Sequence, residues 1–148
     1  MRGPCLILAI LALAPSLHAA DNLRLNPKLD YTNDSQNGPL ISGDNMQDGI
    51  AAGKPNYVII YAEGCYNSKR QARRTVSLWE KYWERVNFVI IDLDRKKSKA
   101  QDELKNKYYR GYIPHVVVLD KAGQPLYNDS GEVDESKISS LLEQALPQ

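Results

Sequence analysis

Cysteine is nearly absent from this chain of 148 residues, which contains two. Cys5 lies in an apolar N-terminal stretch that has the features of a leader, so the rest of the chain contains Cys65 alone. A secreted chain with one cysteine has no internal disulfide. Cys65 is therefore either a buried, inert side chain or a thiol that meets thiols on other molecules.

Histidine is also rare, and the net charge is close to zero. There are two histidines, and His18 falls in the same N-terminal stretch, so we expect no metal site and no cofactor. The chain has 19 basic and 18 acidic residues, and removal of Arg2 with a leader would leave 18 of each. Such a balance gives no electrostatic reason to expect binding to nucleic acid or to an anionic membrane.

The first twenty residues have the pattern of a secretory signal peptide. Arg2 precedes an apolar stretch at residues 5–14, and Ala19 and Ala20 offer small residues for cleavage. The apolar stretch is shorter than the ~20 residues that a membrane span needs. We predict a signal peptide at 1–20, a secreted or periplasmic protein, and no membrane attachment after cleavage. An uncleaved anchor or a buried helix is the alternative.

Residues 21–44 are rich in Asn, Asp, Gly, Pro and Ser. This composition predicts a loosely ordered N-terminal extension, with a short strand at 23–25 or at 39–41. Asp44 is expected to cap a short helix at 45–52, and we place the folded domain at 45–148.

Apolar runs and helical periods alternate through that domain. We predict strands at 57–62, 88–93, 114–120 and 125–127, and helices at 66–84, 98–109 and 136–146. This order is typical of an α/β protein with a central mixed sheet flanked by helices. In the first helix, spacings of four, three and four place one set of side chains on the buried face, namely Ala72, Val76, Trp79 and Trp83. Basic side chains are predicted on and beside the opposite face, namely Lys69, Arg70, Arg73 and Arg74.

A strand, Cys65 and a helix follow one another directly, and Gly-Tyr-Ile-Pro at 111–114 later opens a Val-rich run. From about 54 to 146 this order resembles the thioredoxin family and implies a thioredoxin-like fold. Ser68 stands where that family has its second redox cysteine, so the motif is CxxS. Two further departures are Ile59, in place of a buried Asp, and Ile90, in place of a Lys.

The helix N-terminus predicted at Cys65 favours the thiolate, which is the nucleophile in disulfide exchange. Ser68 lies one turn further on, where its hydroxyl and N–H would approach the sulfur. We therefore name Cys65 and Ser68 as catalytic residues. The alternative is that Cys65 is a relic in a fold that now only binds.

The resemblance also implies a substrate groove. In the family the proline at position 114 is cis, and the backbone of the residue before it pairs with an extended peptide. Our candidates for binding substrate are Ile113 and Pro114, with Tyr66 and Tyr112 at the reactive surface. His115 is expected to point away from the thiol.

Two functions follow from these residues. The first is thiol–disulfide exchange through a single cysteine, with isomerase-like or thiol-retention activity on protein or small-molecule thiols and disulfides. The second is a non-catalytic thioredoxin-fold module that binds peptides or proteins. We expect a monomer, with a Cys65-linked dimer as the alternative.

Overall fold

The computed structural model of the protein describes residues 20–36 and 38–148. The predicted signal peptide therefore lies outside the described residues, apart from Ala20. The elements in chain order are β1 (Asp21–Leu25), β2 (Ile41–Asp44), β3 (Asn56–Tyr61), α1 (Tyr66–Tyr82), β4 (Asn87–Asp92), α2 (Lys99–Tyr108), β5 (His115–Leu119), β6 (Pro125–Ser130) and α3 (Glu135–Ala145).

Four strands form one mixed sheet in the order β4-β3-β5-β6. β3 pairs in parallel with β4 and antiparallel with β5, which in turn pairs antiparallel with β6. Parallel neighbours require a crossover connection, and α1 supplies it between β3 and β4. The predicted α/β class with a central mixed sheet flanked by helices is confirmed.

Side chains alternate between the two faces of this sheet, and each face has its own core. On one face, Tyr57, Ile59 and Tyr61 of β3 pack with residues of α1 and α3. On the other face, Val58 and Ile60 pack with residues of α2. β3 is buried along its whole length because it is central in the sheet and covered on both sides.

Residues 21–44 are more ordered than the sequence predicts. β1 includes the first candidate strand, whereas β2 shares only Ile41 with the second, and β1 pairs antiparallel with β2. Leu23, Leu40 and Ile41 are buried in the core on the α1 side of the sheet. Burial of these apolar side chains fixes the segment although most of its residues favour turns.

The short helix predicted at 45–52 does not form. β2 continues to Asp44, and Asn45 has a left-handed backbone with φ of 52°. Two carbonyls of this segment accept side-chain hydrogen bonds from the start of α2 instead. Met46 O accepts from Gln101 Nε2 at 2.8 Å, and Gln47 O accepts from the Oγ of the N-cap residue Ser98 at 2.6 Å.

The buried face of α1 is only partly the predicted one. Ala72 and Val76 are buried, but Trp79 is half-buried and Trp83, which follows the helix, is 50% exposed. The prediction that both tryptophans lie in the core is therefore wrong. The remaining buried positions of the helix are Ser68, Lys69, Gln71, Thr75, Leu78 and Tyr82.

Candidate functional site

Cys65 is the N-cap residue of α1, as the strand–Cys–helix pattern predicts. A tight turn after β3 places it there, with the Cys65 N–H donating to Ala62 O at 3.3 Å. The thiol is free and the residue is partly exposed. Its Sγ accepts a hydrogen bond from the Ser68 N–H at 3.4 Å, so the sulfur occupies the position of a helix-capping acceptor.

Ser68 is fully buried directly behind the sulfur. Its Oγ accepts from the Ala62 N–H at 3.5 Å. The Ser68 group that contacts the sulfur is thus the backbone N–H, and the hydroxyl is directed to the turn that leads into the helix.

The Ile113–Pro114 peptide bond is cis in the structure. Ile60 of β3 pairs with His115 of β5, so Pro114 lies just beyond the pairing, at the edge of the sheet where β3 ends and the turn to Cys65 begins. Pro114 O accepts from the Gly131 N–H at 2.7 Å, which ties this loop to the end of β6. The fold therefore brings Pro114 and Cys65 to the same edge of the sheet.

The two predicted surface tyrosines are both exposed. Tyr66, the first residue of α1, is 36% exposed, and Tyr112 is 73% exposed. The Arg70 guanidinium lies 5.4 Å from the centroid of the Tyr66 ring and forms a salt bridge to Glu132 at 2.7 Å. The hydrogen bond to Glu132 is the main cause that raises the pKa of Arg70. The Tyr66 ring, which directly follows the thiol in the chain, is thus covered on one side by the ion-paired Arg70 side chain.

His115 is engaged away from the site, as expected. It is buried, with its ring nitrogens 2.9 Å from Ser130 Oγ and 2.7 Å from Asn128 Oδ1 of the neighbouring strand.

Behind the site, Ile59 and Ile90 are adjacent in the pairing of β3 with β4, and both are buried. No ionisable side chain stands at either position.

Charged groups cluster instead at the ends of β3 and β4. Glu63 is buried, and its Oε1 accepts from Arg95 Nε at 2.5 Å. Burial is the main cause that raises the pKa of the Asp92 carboxyl to about 6, and the neighbouring Glu63 carboxylate adds to it. A hydrogen bond from the Asp94 N–H opposes the shift. A cavity of about 380 Å³ opens beside Asp92, and Cys65 does not line it.

Lys69 is the largest departure from the sequence prediction at the site. The sequence predicts Lys69 among the basic residues on and beside the face of α1 opposite the core, yet it is 1% exposed and its Nζ donates to backbone carbonyls of the N-terminal segment. Its spacing of three and seven residues from Ala72 and Val76 is the periodicity of the buried face, so a signal for burial was present. The charge of Lys69 argues against burial from sequence alone, because lysine is seldom fully buried without partners.

Within residues 20–36 and 38–148, no helix is long and apolar enough to cross a membrane. The same residues contain no group of three or more His, Cys, Asp or Glu side chains arranged to hold a metal ion.

Comparison with known proteins shows similarity to thioredoxin-like proteins of photosynthetic organisms. The chain is 30% identical over 123 residues to the chloroplastic thioredoxin-like protein HCF164 of Oryza sativa subsp. japonica, which is 83% of this chain and 44% of that protein. It is 30% identical over 94 residues to the thiol:disulfide interchange protein TxlA of Synechococcus elongatus, which is 64% of this chain and 48% of that protein. The chain thus spans about half the length of these relatives. No protein-family model matches it.

Solved structures agree on the fold. Thioredoxin-2 of the malaria parasite superimposes with a TM-score of 0.52 at 18% identity, over 62% of this chain and 82% of that one. A thioredoxin-like protein from Clostridium perfringens gives 0.53 at 19%, over 64% and 73%. The fold is thioredoxin-like, and the sequence relatives support a thioredoxin-like family for this chain.

Proposed function

We propose that this protein carries out thiol–disulfide exchange through Cys65 alone. The observation that carries the proposal is the placement of a free, partly exposed thiol at the N-cap of α1, with Ser68 where a second sulfur would complete a redox pair. Thiol:disulfide interchange by the cyanobacterial relative TxlA, as its name states, supports the same chemistry here. The signal peptide pattern supports a secreted or periplasmic location.

In the proposed reaction, the Cys65 thiolate attacks one sulfur of a disulfide on a protein or a small molecule. A new disulfide forms between Cys65 and that sulfur, the original S–S bond breaks, and the leaving thiolate takes the electron pair. Because Ser68 cannot attack the new bond, the mixed disulfide persists until an external thiol attacks it. The Cys65 thiolate attacks in the first step and is the leaving group when the external thiol attacks. The helix dipole and the hydrogen bond from the Ser68 N–H favour it in both steps.

The proposed substrate surface is formed by Tyr66 and Tyr112 with the Ile113–Pro114 backbone. Tyr112 exposes 73% of its surface, which is more than a packing role requires. An extended peptide that carries the reacting sulfur would pair with the backbone at Ile113 and lie against these rings.

A non-catalytic binding module is the second candidate. It is supported by Ile59 and Ile90, since these two buried positions carry apolar side chains and supply no acid or base. Such a module would use the same tyrosine surface without forming covalent links.

The deciding experiment offers the protein a peptide that carries an aryl mixed disulfide. Cys5→Ser is introduced throughout so that Cys65 carries the only thiol, and Cys65→Ser in that background is the control. We expect stoichiometric release of the aryl thiol and a peptide adduct that survives until a free thiol is added. A Cys65 that reacts only after unfolding would favour the binding module.

A further inference from the structure

Lys69 fixes part of the N-terminal segment against α1. Its Nζ donates to the carbonyl oxygens of Asp30 and Asn33, both at 2.7 Å, and of Ser35 at 2.8 Å. An ammonium group has three N–H donors, so these bonds satisfy it completely. Because the charge is buried, the three bonds offset a large desolvation penalty and hold the loop backbone in one place.

Residues 30–36, which we name the strap, reach both chain neighbours of the thiol. On one side, Asp34 Oδ1 accepts from the Tyr66 N–H at 2.8 Å. On the other side, a Cβ added at Gly64 would lie 3.3 Å from Gln36 Cβ and 3.4 Å from Asp34 O. The strap therefore lies against the residue before the thiol and against the residue after it.

We propose that the strap, positioned by Lys69, is a specificity element that limits Cys65 to sulfurs carried on extended, mobile peptide segments and excludes those on rigid folded surfaces. The proposal rests on the exchange function of Cys65 proposed above. The strap occupies the side of the thiol next to Gly64 and the Tyr66 backbone N–H, and the Tyr66 ring stays exposed. The other side, towards Pro114 and the exposed Tyr112, is left for the substrate.

The proposed selectivity depends on how much of the partner surrounds its sulfur as that sulfur approaches Cys65. An extended segment can enter along the Pro114 loop and present its sulfur without contact with the strap. A cysteine on a flat folded surface brings neighbouring atoms to all sides of the sulfur, and these would collide with Asp34 and Gln36. Both of these residues are exposed and also contact the chain neighbours of the thiol, so a broad partner would meet them.

The test measures alkylation of Cys65, which requires no exchange activity. Three probes carry the same maleimide: N-ethylmaleimide, an unstructured peptide with a terminal maleimide, and a folded carrier protein with the maleimide on a short linker. All variants contain Cys5→Ser. The measured quantity is the ratio of the carrier rate to the peptide rate.

Lys69→Met removes the ammonium while it keeps an unbranched side chain of similar length, and Asp34→Ala releases the strap from Tyr66 without disturbing the buried charge. Lys99→Met is the matched control, because the Lys99 side chain is 93% exposed at the start of α2. We expect a low ratio in the native protein and in Lys99→Met. The ratio should rise on the order of tenfold in Lys69→Met and by less in Asp34→Ala, with the N-ethylmaleimide rate nearly constant.

A native protein that reacts equally fast with carrier and peptide would overturn the proposal. So would a ratio that neither variant changes, and Asp34→Ala decides the matter if Lys69→Met does not fold. Slow exchange with the aryl disulfide peptide, combined with the expected alkylation ratios, would reject the exchange function and leave the strap established. Failure of all three probes on every folded variant would overturn both.

Discussion

The Ser68 N–H lies 3.4 Å from Cys65 Sγ, so the side chain at position 68 begins one helical turn from the thiol. Residues three apart on a helix have Cβ atoms about 5–6 Å apart, which is close enough for a disulfide after small adjustments. Ser68→Cys should therefore create a second sulfur that attacks the mixed disulfide at Cys65 and releases the substrate. The lifetime of the peptide adduct, followed on non-reducing gels, should fall.

Ser68→Ala is the matched control for this prediction, since it also removes the buried hydroxyl but supplies no thiol. Its adduct should last as long as that of the native protein. Equal lifetimes in Ser68→Cys and Ser68→Ala would show that the two sulfurs cannot meet. Because positions 59 and 90 carry isoleucine and so supply no acid or base, we expect Ser68→Cys to remain a poor reductase.

A second prediction concerns the packing of α1. Leu78 is fully buried, whereas Trp83 is 50% exposed. Leu78→Ala should lower the free energy of unfolding by about 3 kcal/mol, because it leaves a cavity against the sheet. Trp83→Ala should cost less than ~1 kcal/mol, and the half-buried Trp79 should give an intermediate value. Urea unfolding of the three variants provides the measurement, and a larger loss for Trp83→Ala than for Leu78→Ala would contradict the assignment.

The exposure of Trp83 shows that helical periodicity does not always identify the buried face of a helix. The face of α1 that contains Trp79 and the face that contains Leu78 are shifted by one residue, and both include Ala72 and Val76. Apolar spacing alone therefore does not show which of the two faces is buried. The structure buries the stripe that includes Gln71 and Thr75, because these polar side chains bond to groups on other elements. A pattern that counts polar residues as exposed misses such a face.

Local signals predicted the rest of the fold well. Ser98 caps α2 and Gln101 completes a capping box, within one residue of the predicted start. Cys65 likewise caps α1 at the predicted helix start, where its sulfur accepts from the Ser68 N–H. The sequence does not predict the strap or the Glu63–Arg95 pair, because the hydrogen bonds from Lys69 to Asp30 and from Arg95 to Glu63 join residues more than thirty positions apart, which no local pattern records.

A third prediction tests the polar contacts of the α1 face. Gln71 Oε1 accepts from the Val133 N–H at 2.9 Å, and Gln71 Nε2 donates to Tyr57 Oη at 3.3 Å. Gln71→Leu would leave the buried Val133 N–H without its acceptor, so we expect a loss of about 1–3 kcal/mol in unfolding free energy. Gln144→Leu, at an exposed position of α3, is the control and should change stability by less than about 0.5 kcal/mol. Equal effects of the two changes would contradict this role.

The last prediction concerns Asp92, whose folded-state pKa of about 6 lies above the value of 3.8 for an unperturbed aspartate. The folded protein therefore binds a proton at Asp92 more readily than the unfolded chain, so this group lowers stability as pH rises from about 4 to 6, and the loss persists above that range. Asp92→Asn removes the titration, and its amide oxygen can still accept from the Asp94 N–H.

Asp92→Asn should therefore be more stable than the native protein at neutral pH, by about 1 kcal/mol once solvent screening of this partly exposed group is included. The difference should shrink as the pH falls and disappear below about pH 4, where aspartate is protonated in both the folded and the unfolded chain. Thermal unfolding across this range measures it, with Asp129→Asn at an exposed position of β6 as the control. An Asp92→Asn protein that is less stable at neutral pH would mean that the charged carboxylate contributes favourable contacts there, and that burial does not dominate its titration.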